Sequence, residues 1–180
     1  MTAFVAFLRA VNVGGNNKLP MAELRDALGA AGLDEVTTVL QSGNVLCRHS
    51  GSAPAVAELV ARSIEESFGL RIGVVVRSAQ QLAAVAATNP FLADDPDRDP
   101  KTLHVAFLSA PPVRAAVDKL DPERSPPDAV VVAGSELYLS YPGGSGNSRL
   151  TLDYLERTLG VRGTARNWNT VQRVAALLDT

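Results

Sequence analysis

Apolar residues alternate with polar or small ones over TAFVAFLR at 2–9, and that period of two predicts a strand. A polar loop, AVNVGGNNKL, follows, and Pro20 then opens a helix, PMAELRDALGAAG. Proline suits the first helical turn because its missing N–H has no partner there, and Gly32 suits the exit. Met21, Leu24 and Leu28 recur at spacings of three and four and define the apolar face. VTTVLQ and NVLCR flank Ser42-Gly43 and predict a hairpin. A two-residue turn there pairs Gln41 with Asn44 and Leu40 with Val45, with Val36, Thr38, Leu40, Val45 and Cys47 on one face. Residues 53–68 form an amphipathic helix carrying Val56, Leu59, Val60, Ile64 and Phe68, capped by Ser52 and ended by Gly69. IGVVV is a strand, and SAQQLAAVAA a helix opened by the capping box Ser78 to Gln81.

The segment NPFLADDPDRDP, rich in proline and aspartate, then interrupts the pattern and reads as a linker over 90–100. After it the order restarts. HVAFLSA at 104–110 repeats FVAFLRA at 4–10 in five of seven positions. A Pro-initiated helix (PPVRAAVDKL), the hairpin AVVVAG/SELYLSY and the helix NSRLTLDYLERTLG follow. Gly160, Arg162 and Arg166 match Gly69, Arg71 and Arg77. Both halves read β-α-β-β-α-β-α. The expected fold class is therefore α+β, two ferredoxin-like halves (βαββαβ plus a helix each) related by internal duplication. The expected divisions are 1–89, a linker at 90–100, and 101–180.

Composition narrows the function classes. A chain of 180 residues buries enough surface, roughly 70% of the extended chain, to need no metal or disulfide staple. Cys47 is the single cysteine, which excludes an internal disulfide and fits a reducing, cytoplasmic compartment. Arg9 interrupts the N-terminal apolar run, which suits a strand better than a signal peptide, and no run approaches membrane-spanning length. The net charge of −2 offers no global attraction to nucleic acid, although a local basic patch is compatible with it.

LRAVNVGGNNKLPMAELRDAL, LQSGN, NPF and TARNWNTV occur in this order, and together they resemble the bacterial family known as domain of unknown function 1697. The resemblance runs from about residue 2 to residue 178. The family more often reads Arg-Gly-Ile-Asn where this chain has Arg9-Ala10-Val11-Asn12, and an aromatic is frequent where Val39 stands. The resemblance implies a fold of two similar α+β halves and no established activity.

Candidate chemistry gathers at turns and helix starts. Between strand and helix lie Asn12, Gly14, Gly15, Asn16 and Lys18, where adjacent glycines turn backbone N–H groups toward one point. The spacing matches neither a Walker A loop nor GxGxxG. Leu19 is a poor cap, so the first amides of the next helix need another partner: an anion, Asn16, Asn17 or water. Arg9 precedes this loop, and Gln41, Ser42 and Asn44 sit at the hairpin turn. A second glycine-rich loop, 142–149, leads to Ser148 and Arg149, with Asn147 or Ser148 as the cap of the helix that follows. Arg166, Asn167 and Asn169 open the last helix, where Asn167 caps and Arg166 lies with Asn169, Thr170 and Arg173 on the polar face. Trp168 shares a face with Val171, Val174, Ala175 and Leu178 and reads as a core anchor.

Signatures of catalysis are sparse. His49 and His104 lack a second ligand at metal spacing, no GxSxG elbow occurs, and no carboxylate pair stands out. No metal or cofactor is expected, no catalytic residue is assigned, and whether the chain is an enzyme stays open. The leading expectation is a binding protein for a small anionic or phosphorylated ligand held in the cleft between the halves. One alternative is a nucleic-acid-binding module, disfavoured because neither half shows base-stacking aromatics and aromatics total 5%. Another is a non-catalytic structural or self-associating protein.

Overall fold

The apolar runs at 2–8 and 103–108 become the strands on which two sheets are built. The computed structural model describes residues 1–178. Its N-terminal elements are β1 (Thr2–Leu8), α1 (Met21–Ala30), β2 (Asp34–Val39), β3 (Asn44–His49), α2 (Ala53–Phe68), β4 (Val74–Ser78) and α3 (Ala79–Ala87). Then come α4 (Pro90–Asp94), β5 (Leu103–Leu108), α5 (Arg114–Val117), β6 (Ala129–Ala133), β7 (Glu136–Ser140), α6 (Leu152–Leu159), β8 (Gly163–Asn167) and α7 (Trp168–Leu178). The strands form two four-stranded sheets of order β2-β3-β1-β4 and β6-β7-β5-β8, every neighbouring pair antiparallel. The architecture is α+β with two similar halves. Chain contacts divide it into one unit of Met1–Ala83 plus the residues from Val174 onward, and a second of Ala84–Arg173.

In the first unit Phe4, Ala6 and Leu8 alternate onto the helix-covered face of the sheet and meet Met21, Leu24 and Leu28 of α1 and Val56, Val60 and Ile64 of α2. Each fully buried aliphatic side chain contributes roughly 1.5–3 kcal/mol over its exposed state. The ends expected of α2 and the start expected of α3 hold. Ser52 accepts from Ala55 N, Gly69 takes the left-handed conformation after α2, and Ser78 and Gln81 bond each other's backbone N–H. Ala106, Leu108, Leu137, Leu139, Leu150, Leu155 and Leu159 form the equivalent core of the second unit.

Several expectations need correction. The β2–β3 hairpin pairs Val39 with Asn44 and Thr38 with Val45, so the turn has four residues, Leu40–Gly43. The slip preserves parity, so Val45 and Cys47 keep their core face while Leu40 moves out to the surface. The turn is closed by Asn44 Nδ2, which donates to Val39 O at 2.8 Å and Ser42 Oγ at 3.2 Å. Within the stretch 90–100 lie α4 and buried Phe91, where Asn89-Pro90 supplies both a cap and an N-terminal proline. The PPVRAAVDKL helix shrinks to the four residues of α5, none of them buried. The helix expected from Asn147 begins at Leu152, with Thr151 rather than Asn147 or Ser148 as its cap. Arg166 lies in β8, one residue before the last strand ends, and not on the polar face of α7.

Candidate functional site: two loops joined by Asn12

β1 ends where three chain segments meet. Leu8 N donates to Gly43 O, and Arg9 N to Gly73 O, both at 2.8 Å. Gly43 is required twice over: its φ is +80°, and a Cβ there would stand 2.8 Å from Leu8 Cβ. The turn 40–43 is thereby docked on the end of β1. Asn12 ties it to the following loop. Its Nδ2 donates to Gln41 O at 2.8 Å and Leu19 O at 3.0 Å, and its Oδ1 accepts from Leu19 N at 2.8 Å. Asn17 closes the loop base, donating from Nδ2 to Ala10 O at 3.1 Å while its carbonyl accepts from Asn12 N.

The backbone here is strained. Among the described residues five that are not glycine have positive φ, and four of them lie in this pair of loops: Ala10 (51°), Asn12 (53°), Asn17 (46°) and Leu40 (62°). A left-handed residue with a Cβ costs roughly 1–2 kcal/mol, least for Asn. Gly14 and Gly15 form the tip of a tight hairpin in which Asn16 N donates to Val13 O. Both have positive φ, 59° and 79°, as a type I′ turn requires.

Around this frame stand the other candidates of the first unit. Gly14, Gly15, Asn16, Lys18 and Gln41 are exposed, Arg9 and Ser42 are half-buried, and Asn44 is fully buried. Helix α1 begins immediately after, and Pro20 at its cap position offers no side-chain acceptor for the first amides. Arg9, Asn12, Gly14, Gly15, Asn16, Lys18, Gln41, Ser42 and Asn44 thus belong to one end of one sheet. Asn12 and Asn44 serve as struts. Sequence reasoning missed Ala10 and Leu40, whose left-handed backbone no local pattern marks.

The second unit separates its candidates. Ser148 Oγ accepts from Leu150 N, and Arg149 N donates to Ser125 Oγ, both at 3.0 Å, on the side where Leu150 packs. Arg166 pairs with Val105, on the opposite face from Ala106 and Leu150. Arg149 and Arg166 therefore do not converge within this unit. Arg166 is buried, donates from Nη1 to Thr164 Oγ1 and Ala165 O at 2.8 Å, and burial pushes its pKa down to about 10. Asn167 is a strut as well as the expected cap. Its Nδ2 donates to Lys101 O, and its Oδ1 accepts from the N–H of exposed Asn169, both at 3.0 Å.

Other reactive groups are quiet. Burial raises the Cys47 thiol to about 11, and burial lowers the pKa of His104, whose ring lies edge-on to Tyr141. Among the described residues no three His, Cys, Asp or Glu side chains gather to hold a metal, and no helix is long and apolar enough to cross a membrane. Cavities of about 420 Å³ and about 350 Å³ in the second unit are lined by none of the candidate binding residues.

Two antiparallel sheets with helices and a strutted loop pair define an α+β protein whose most distinctive local feature is that loop pair. The model of the family described as "Protein of unknown function (DUF1697)" matches residues 1–138, and the chain belongs to that family. Among solved structures it is similar to the conserved bacterial protein SP0830 from Streptococcus pneumoniae, with a TM-score of 0.77 and 20% identity. That alignment covers 100% of this chain and 99% of the other, and the likeness speaks to fold. No curated protein matches.

Proposed function

We propose that the first unit binds a small anionic or phosphorylated ligand at the loop pair formed by residues 9–18 and 40–44. The observation that carries this reading is the concentration of left-handed residues there, held by Asn12. Such strain persists only where surrounding structure fixes it, and it clusters at sites that must be preorganised. The exposed backbone of Gly14 and Gly15, the exposed ammonium of Lys18 and the uncapped start of α1 all suit negative charge. Arg9 adds a guanidinium from the end of β1.

We further infer that both halves are ferredoxin-like units, 1–89 and 101–180, that arose by duplication. The same strand order supports it, as does the repeat of local bonding. Leu8 N to Gly43 O is matched by Leu108 N to Ser135 O, and Arg9 N to Gly73 O by Ser109 N to Arg162 O, all at 2.8 Å. Arg77 and Arg166 are both buried, and each donates to the carbonyl of its preceding residue.

One observation favours a loop that merely completes the fold: the amides of Asn12 and Asn44 are spent on backbone carbonyls. A thermal-shift screen with inorganic phosphate, mononucleotides, sugar phosphates and oligonucleotides separates the two. A ligand at a hundred times its Kd adds roughly 2.7 kcal/mol. Stabilisation by phosphate or mononucleotides that Lys18→Ala removes supports binding, and silence toward every anion leaves the structural reading.

A further inference from the structure

The two units differ in the element that follows their first strand. In the first, the ten residues of α1 lay Met21, Leu24 and Leu28 on the sheet. In the second, α5 has four residues and buries none, and the chain continues through Asp121-Pro122 and Pro126-Pro127. The sheet beneath is left under-covered: Val130 and Val132 of β6 are only half-buried. A cavity of about 350 Å³ results, floored by Val117, Leu120, Val130, Val132 and Leu150. That volume falls at the lower end of small-molecule sites.

Charged groups stand around this floor. Arg124 is fixed twice, its Nε donating to Arg149 O at 3.1 Å and its guanidinium lying 4.1 Å from the centroid of the Tyr154 ring. No described residue takes a hydrogen bond from its Nη atoms, so a preoriented guanidinium edge remains at the rim. Arg114, the other cation of the lining, is engaged with Asp118 at 2.8 Å. Two carboxylates also line the cavity. Asp121 Oδ1 accepts from Glu123 N and Asp128 Oδ2 from Ser125 Oγ, both at 2.9 Å, which leaves one oxygen of each for a further donor.

An apolar floor with one available guanidinium and two available carboxylates matches a zwitterion. A dianion would meet the two aspartates, and a purely apolar molecule would leave the charged groups unanswered. We propose that this cavity binds a small apolar amino acid, its carboxylate on Arg124, its ammonium on Asp121 and Asp128, and its side chain on the valine and leucine floor. The site is independent of the loop pair at the end of β1.

Isothermal titration of the full chain with L-leucine, its deaminated analogue isocaproate and its decarboxylated analogue isoamylamine tests it. Saturable leucine binding is expected, with each analogue weaker by about tenfold or more, the worth of one charge-assisted contact. Arg124→Met should weaken leucine by a similar factor. Asp121→Asn, at an exposed position that keeps the local turn, should weaken leucine and isoamylamine but not isocaproate, and it serves if Arg124→Met fails to fold. Absence of saturable leucine binding, equal binding of either analogue, or indifference of leucine to the folded variants overturns the proposal.

Discussion

Asn12 Nδ2 donates to the carbonyl oxygen of Gln41 at 2.8 Å, joining residues 29 positions apart in the chain. The same side chain holds Leu19 through both its donor and its acceptor, so one asparagine fixes the exit of β1, the hairpin turn and the approach to α1. Its φ of 53° is one that asparagine tolerates better than other residues with a Cβ.

Asn12→Ala removes all three bonds, leaves Leu19 N–H without its acceptor and forces alanine into a left-handed conformation. The expected destabilisation is about 2–4 kcal/mol in urea unfolding. A loss below about 0.5 kcal/mol, the range of neutral surface changes, would show that the loops stand without it.

Ala10 has φ 51°, a left-handed conformation that glycine adopts without the Cβ penalty. Ala10→Gly relieves a conformation costing roughly 1–2 kcal/mol and adds the entropic cost of glycine, so a net gain of about 0.5–1 kcal/mol is expected. A lowered unfolding midpoint would contradict the strain assigned to this loop.

Patterns that act over a few residues were legible in the sequence. The 53–68 helix with its Ser52 and Gly69 ends, the Ser78 capping box and the alternating core strands depend on local periodicity and cap chemistry. What escaped depended on distant partners. Asn12 reads as a polar loop residue, and nothing local reveals that its amide donates to the carbonyls of Gln41 and Leu19. Arg166 reads as a polar residue near a helix start, yet strand pairing with Val105 buries it. The positive φ of both Gly14 and Gly15 fits the type I′ turn that an adjacent glycine pair favours locally.

Cys47 supplies a pH test. Burial raises its thiol from 9.0 to about 11, so between those values the unfolded chain has lost a proton that the folded chain keeps. Stability from this group is complete below pH 9 and is lost as pH rises toward 11. The loss should reach about 2–3 kcal/mol and be absent in Cys47→Ala, measured as the difference between the two proteins across that window. A parallel pH dependence would contradict it. The native thiol should also stay inert to aromatic disulfide reagents until urea unfolds the chain.

Trp168 is 1% exposed, as its helical spacing from Val171 and Val174 predicts. Trp168→Ala should cost about 3–5 kcal/mol in urea titration. A change under about 1 kcal/mol would mean the indole is not a core anchor.

Amide nitrogen–proton NMR spectra recorded while inorganic phosphate is added to the full chain address the proposed anion site most directly. The account predicts saturable shifts concentrated at Gly14, Gly15, Lys18 and the first amides of α1, abolished by Lys18→Ala. Shifts scattered over unrelated surfaces, or none up to the solubility of the salt, would contradict it.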